Sequence, residues 1–76
     1  MEKGWIKIKS YNNAIESEIV KQMLEENGVE AVLLNKQDSS YLFGKIELYV
    51  PQEHVQEAEA LIGDYGTTSY NPEDAN

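Results

Sequence analysis

The chain has 76 residues, a single small domain's worth, and carries six lysines, no arginine and fourteen acidic residues for a net charge of −8. A domain of this size buries only about 60% of the surface that its unfolded chain exposes, which leaves a thin core and little room for a deep catalytic cavity. The acidic balance and missing arginine argue against nucleic acid, whose binding rests on cationic neutralisation of phosphates. The absence of cysteine excludes disulfide scaffolds, thiolate zinc sites and thiol nucleophiles.

The start, Met1-Glu2-Lys3-Gly4, leads directly into a strand-like run without an apolar signal segment. The longest aliphatic run, Ala31 to Leu34, is far short of the roughly 20 residues that span a bilayer. A cytoplasmic protein is the expectation.

Trp5 to Tyr11 alternates, with Ile6 and Ile8 expected on a core-facing side and Trp5, Lys7 and Lys9 on the other, a first strand. Asn12-Asn13 then offers helix-start chemistry: with Asn13 as the cap, Glu16 falls at the third helical position in a capping-box arrangement. Ile15, Ile19 and Met23, flanked by Val20 and Leu24, recur at helical spacing, and Gly28 stands where a left-handed terminator is needed. Val29 to Asn35 reads as a second strand with apolar residues on both faces.

Lys45 to Val50 alternates cleanly, with Ile46, Leu48 and Val50 inward and Lys45, Glu47 and Tyr49 outward, a third strand that Pro51 ends. Val55, Ala58, Leu61 and Ile62 form the apolar stripe of a second helix, expected to stop at Gly63 or Gly66. The domain is read as residues 1–65, and the small, acidic segment 66–76 as a flexible tail in which Thr67 to Tyr70 could add a short fourth strand.

The order β-α-β-β-α, with an optional final β, specifies an α+β fold. Right-handed crossovers place both helices on one face of an antiparallel sheet, the ferredoxin-like split β-α-β arrangement, with the third strand central and the opposite face bare. Trp5, Lys7, Lys9, Glu47 and Tyr49 are the candidate interface on that bare face, joined either by Val32 with Leu34 or by Ala31 with Leu33. Aromatic and apolar groups rimmed by lysine and glutamate have the anatomy of a protein contact, and the unpaired edge of the first strand adds a second route to association.

The connection from Asn35 to Gly44 is long for a hairpin. Asn35, Lys36, Gln37, Asp38 and Ser39 offer polar groups, and Tyr41 and Phe43 apolar surface, which together suit a partner protein or a small polar metabolite. The same residue types also serve turn construction and core closure. His54 with Glu53 and Glu57 is a possible metal cluster, but carboxylates at a helix start answer to the helix dipole alone and no third ligand stands at a metal spacing. No metal, cofactor or enzymatic constellation is expected: Ser39 and Ser40 have no histidine at a motif spacing, and no glycine-rich phosphate loop is present.

A Trp-containing first strand, Asn12-Asn13 before a glutamate-rich helix, Asn27-Gly28-Val29, Asn35-Lys36-Gln37-Asp38-Ser39 and Ile46-Glu47-Leu48-Tyr49-Val50-Pro51 together resemble the small bacterial domains catalogued as "putative signal-transducing proteins". The resemblance covers about residues 4 to 63 and implies a GlnB-like, ferredoxin-type fold without an assigned activity. In nitrogen-regulatory PII proteins, which that label invokes, the effector-contacting loop joins strands two and three; Asn35 to Gly44 occupies the matching place, with Tyr41 on it. The basic residues and glycine-rich loops by which PII proteins hold ATP have no counterpart here, so neither nucleotide binding nor modification of Tyr41 carries over.

The resulting expectation is a non-enzymatic interaction or regulatory module that forms a homodimer or higher oligomer, or docks a partner, through the bare face and the 35–44 loop. The alternative is a sensor that binds a polar metabolite at that loop.

Overall fold

The computed structural model describes residues 4–37 and 45–69. Its elements run β1 (Trp5–Tyr11), α1 (Ala14–Glu26), β2 (Val32–Asn35), β3 (Ile46–Pro51), a 3₁₀ turn at Gln52–His54, and α2 (Val55–Ser69). The strands form one antiparallel sheet in the order β1-β3-β2. This is the expected α+β, ferredoxin-like split β-α-β arrangement, with β3 central and β1 left as an edge.

Both ends of α1 form as their residues dictate. The Asn13 side chain accepts the Glu16 N–H at 3.0 Å, filling one of the donors that a helix start leaves open. At the other end Gly28 takes φ +83°, the Gly28 N–H reaches the Glu25 carbonyl at 3.0 Å, and the Val29 N–H reaches the Leu24 carbonyl at 2.9 Å. That bond pair is a Schellman terminator, and its usual apolar contact falls here between two completely buried residues, Leu24 and Val29.

The core lies between the sheet and the two helices. Tyr11, Ile46, Leu48 and Val50 from the sheet meet Val20 and Leu24 of α1 and Ala58 of α2, with Val55, Leu61 and Ile62 packed at its margin. The α2 stripe is therefore the expected one, and of the α1 stripe Val20, Met23 and Leu24 face the core as expected while Ile15 and Ile19 do not. Ser17, Val20 and Leu24 are buried, while Ile15 and Ile19 are 73% and 45% exposed. Ser17 fits at close range because its Oγ donates to the Ala14 carbonyl at 2.7 Å, leaving no polar group unpaired.

Two further expectations are corrected. The β1–β3 register slips between Lys7, opposite Tyr49, and Lys9, opposite Leu48, so Ile8 is the extra residue of a β-bulge. Beyond the bulge the alternation reverses: Lys9 leaves the bare face, and Tyr11, opposite Ile46, turns into the core. The Lys9 ammonium instead lies 5.6 Å from the centre of the Tyr11 ring. Second, α2 passes through Gly63 and Gly66 to Ser69, so 67–69 is helical rather than a fourth strand, and the boundary drawn at 65 falls inside a helix. A glycine within a helix costs about 1 kcal/mol relative to alanine but leaves the backbone hydrogen bonds intact. Tyr70 and the rest of the acidic tail lie outside the described residues.

Candidate functional site: the helix-free face of the sheet

Cross-strand pairing decides which side chains share the outer face. Trp5 pairs with Pro51, Lys7 with Tyr49 and Ser10 with Glu47; on the other side Val32 pairs with Tyr49 and Leu34 with Glu47. Since Ile46, Leu48 and Val50 point into the core, these residues stand on the opposite surface. Of the two sets considered from sequence, Val32 with Leu34 joins the face. Ala31 and Leu33 belong to the core side, Ala31 buried and Leu33 packed against the cluster.

At the centre of this face sits Glu47, only 8% exposed although it points away from both helices. Its Oε2 lies 3.3 Å from the Lys7 ammonium, and its Oε1 lies 3.3 Å from the Lys36 ammonium and accepts the Tyr49 hydroxyl at 2.9 Å. The Tyr49 hydrogen bond first, and the two lysines after it, hold the Glu47 carboxyl below its ordinary range against the opposing effect of burial. The same bond pushes the Tyr49 phenol up, with burial second. Glu47 is thus held as a carboxylate and Tyr49 as a phenol, and with the two lysines beside them the cluster supplies charge and hydrogen bonding.

Both lysines keep about half of their side-chain surface in solvent, 50% for Lys7 and 56% for Lys36. An ammonium carries three donors, so each can take a further acceptor. Lys36 extends the ladder through its N–H to the Lys45 carbonyl at 2.9 Å, and the alternation sets Lys45 on the outer side as well. The face therefore has apolar and aromatic surface from Trp5, Val32, Leu34 and Tyr49 with a small positive balance, Lys7, Lys36 and Lys45 standing against Glu47 and against Glu30, which the same alternation sets outward between the buried Val29 and Ala31.

The first residues of the 35–44 connection are occupied in building it. The Asn35 side chain accepts the Gln37 N–H at 2.8 Å, an Asx turn, and the Gln37 amide donates to the Asn12 carbonyl at 3.0 Å, tying the loop to the start of α1. Asp38, Ser39, Tyr41 and Phe43 lie outside the described residues. His54 Nδ1 pairs with Glu57 Oε1 at 3.3 Å, and among the described residues no group of three or more potential metal ligands converges. Among those residues, no helix is long and apolar enough to cross a membrane.

The β1 edge is poorly suited to strand addition. The bulge at Ile8 interrupts its ladder, and Lys7 and Lys9 lie along it; charge and bulges are the devices that discourage edge-to-edge pairing. Sequence reasoning expected Trp5, Lys7, Glu47 and Tyr49 to share the helix-free face, and the register puts them there. That reasoning missed that Lys36, taken as a loop ligand, reaches Glu47, a link that the cross-strand register would have disclosed.

Neither curated proteins nor solved structures give a match to this chain. The family model described as "Putative prokaryotic signal transducing protein" matches residues 5–66, from the first residue of β1 to within α2. The chain belongs to that family.

Proposed function

We propose that this protein is a non-enzymatic, cytoplasmic interaction module that works by docking another polypeptide, or a copy of itself, on the helix-free face of its sheet. The observation that carries the reading is the make-up of that face: Trp5, Val32, Leu34 and Tyr49 surround a Glu47 carboxylate already neutralised by two lysines. A purely solvated face would alternate polar residues outward along every strand. Here aromatic and aliphatic groups form the centre and half-exposed ammonium groups the margin, the layout of a protein contact. The charge at the centre is already paired, so covering it strands no isolated ion. Asn35, Lys36 and Gln37, the described start of the 35–44 segment, leave from the β2 end of this face and would extend the contact. Signal transmission in this family would then be a matter of occupancy, with no covalent chemistry required.

The test is photo-crosslinking in the producing cell. A benzophenone side chain is placed at Tyr49 on the sheet face or, as the control, at the exposed Gln56 on α2. Discrete protein adducts from position 49 with none from position 56 are expected. Absence of adducts at 49, or equal adducts at both positions, overturns the reading.

A further inference from the structure

A second surface needs a partner. Along the outer side of α1, Ile15 and Ile19 are 73% and 45% exposed, the two most exposed of the large hydrophobic residues among those described. They line a shallow concavity of ≈ 470 Å³ together with Ala14, Glu18, Lys21, Gln22 and Glu25, so that its charged rim is acidic by one. Ile15 and Ile19 are one helical turn apart and form a ridge, with glutamates beside it.

The charges of the two surfaces are opposite. Across the sheet face Lys7, Lys36 and Lys45 outnumber Glu47 and Glu30, whereas α1 carries Glu16, Glu18, Glu25 and Glu26 against Lys21 alone, which is paired with Glu25 at 3.4 Å. Packing two sheet faces together about a two-fold axis would set lysines against lysines, and pairing two α1 faces would set glutamates against glutamates; both cost energy. Sheet face against α1 face matches apolar to apolar and positive to negative. The acidic outer surface of a molecule's own helices stands beyond a helix diameter of about 10 Å from its sheet face. That exceeds a Debye length of about 8 Å at physiological salt, so the local positive balance is what an approaching molecule meets.

We propose that a second copy of the chain docks the outer side of its α1, the Ile15–Ile19 ridge with Glu18 and Glu25, onto the Trp5, Val32, Leu34 and Tyr49 surface, with the glutamates beside Lys7, Lys36 and Lys45. This deepens the reading given above and rests on it, since the sheet face is the receiving surface. The contact is heterologous: each copy retains one free face of each kind, so association extends to a ring or a short row rather than stopping at a symmetric dimer. It also covers the bare side of the sheet with a helix, completing the third layer that a two-sided sheet calls for.

A mixing experiment tests the proposal. One variant, L34S/K45E, impairs the sheet face and leaves α1 intact; Leu34 and Lys45 lie outside the Glu47 ion-pair cluster. The other, I15K/E18K, impairs the α1 face at exposed positions. Circular dichroism melting verifies that both fold, and single substitutions Lys45→Glu and Ile15→Lys stand in for either variant that does not.

By sedimentation velocity, the wild type is expected to gain mass as concentration rises from low to high micromolar, and each variant alone to stay at the monomer mass. An equimolar mixture should give a species of twice that mass and nothing larger. A wild type that stays monomeric, or a mixture that does, overturns the proposal. Association lost in the sheet-face variant but kept in the α1 variant also overturns it, while leaving the sheet-face reading intact. Association unchanged in both variants refutes the two together.

Discussion

Tyr11→Phe deletes one oxygen from the core, and its consequence can be worked out from the site. Tyr11 is 5% exposed, and its hydroxyl is buried with no hydrogen-bond partner among the described residues. A hydroxyl that gives up water for nothing costs about 1–3 kcal/mol, whereas phenylalanine fills the same volume and leaves no cavity. The contact with the Lys9 ammonium survives, because it acts on the ring. Tyr11→Phe should therefore raise stability by about 1 kcal/mol, or roughly 4–8 °C in melting temperature for a domain of this size.

The pH dependence supplies a second readout. Burial first and the charge of Glu16 second push the Tyr11 phenol up to about 12 from its ordinary 10.0. Between those values the unfolded phenol has lost a proton that the native one keeps, so the unfolded state binds fewer protons and stability falls as pH rises. Below pH 10 the effect is absent. The Tyr49 phenol, also pushed up, contributes in the same sense, so the alkaline decline should be shallower in Tyr11→Phe rather than gone. Urea denaturation at neutral pH and across pH 10 to 12 measures both effects. A Phe variant less stable than wild type by about 1 kcal/mol or more, or one with an unchanged alkaline slope, would refute the reasoning.

Other substitutions test the remaining parts of the structure. Gly28→Ala forces a side chain onto a φ of +83° and should cost about 1–2 kcal/mol by urea denaturation, although a methyl group there meets no neighbouring atom. Asn13→Ala removes the side-chain acceptor for the Glu16 N–H and should cost about 1 kcal/mol, with Asn13→Asp holding stability near wild type. For Glu47, whose folded carboxyl titrates below its unfolded value, the stabilising contribution is present above the unfolded value and is lost as pH falls through the folded one. Acid titration should therefore show a decline below about pH 4 that Glu47→Gln lacks. The same variant should bring the Tyr49 phenol back toward its ordinary range in an ultraviolet titration.

Those parts of the fold that depend on local chemistry were legible in the sequence. Asn13 caps α1, Gly28 ends it, and the alternation from Ile46 to Val50 places the core face of β3 correctly. The Val55, Ala58, Leu61, Ile62 stripe also faces inward as read. What failed depended on neighbours. No local signal marks Ile8 as a bulge, because Ile6, Ile8 and the interleaved lysines alternate well; the reversal that turns Tyr11 inward arises only from the slipped pairing with β3. On α1 the hydrophobic pattern allowed two stripes, and packing chose the one through Val20 and Leu24, leaving Ile15 and Ile19 outside. Gly63 and Gly66 were read as stops, yet glycine terminates a helix only when its left-handed conformation is used, and Gly63 does not use it.

The site divides in the same way. Trp5, Lys7, Glu47 and Tyr49 share the outer face because the period of two put them there, while Lys9 was lost to the bulge. The burial of Glu47 was not readable, since it requires lysines far apart in sequence, at 7 and 36, to arrive on one carboxylate.

Occupation of the helix-free face by a second copy is tested most directly by amide and indole NMR spectra of the labelled wild-type protein, recorded in dilute and concentrated solution. The expected result is concentration-dependent shifts at the Trp5 indole and at the Lys7, Val32, Leu34 and Tyr49 amides, joined by Ile15 and Ile19 on α1. Spectra that superimpose at both concentrations, or shifts confined to Gln52–His54 and α2, would contradict it.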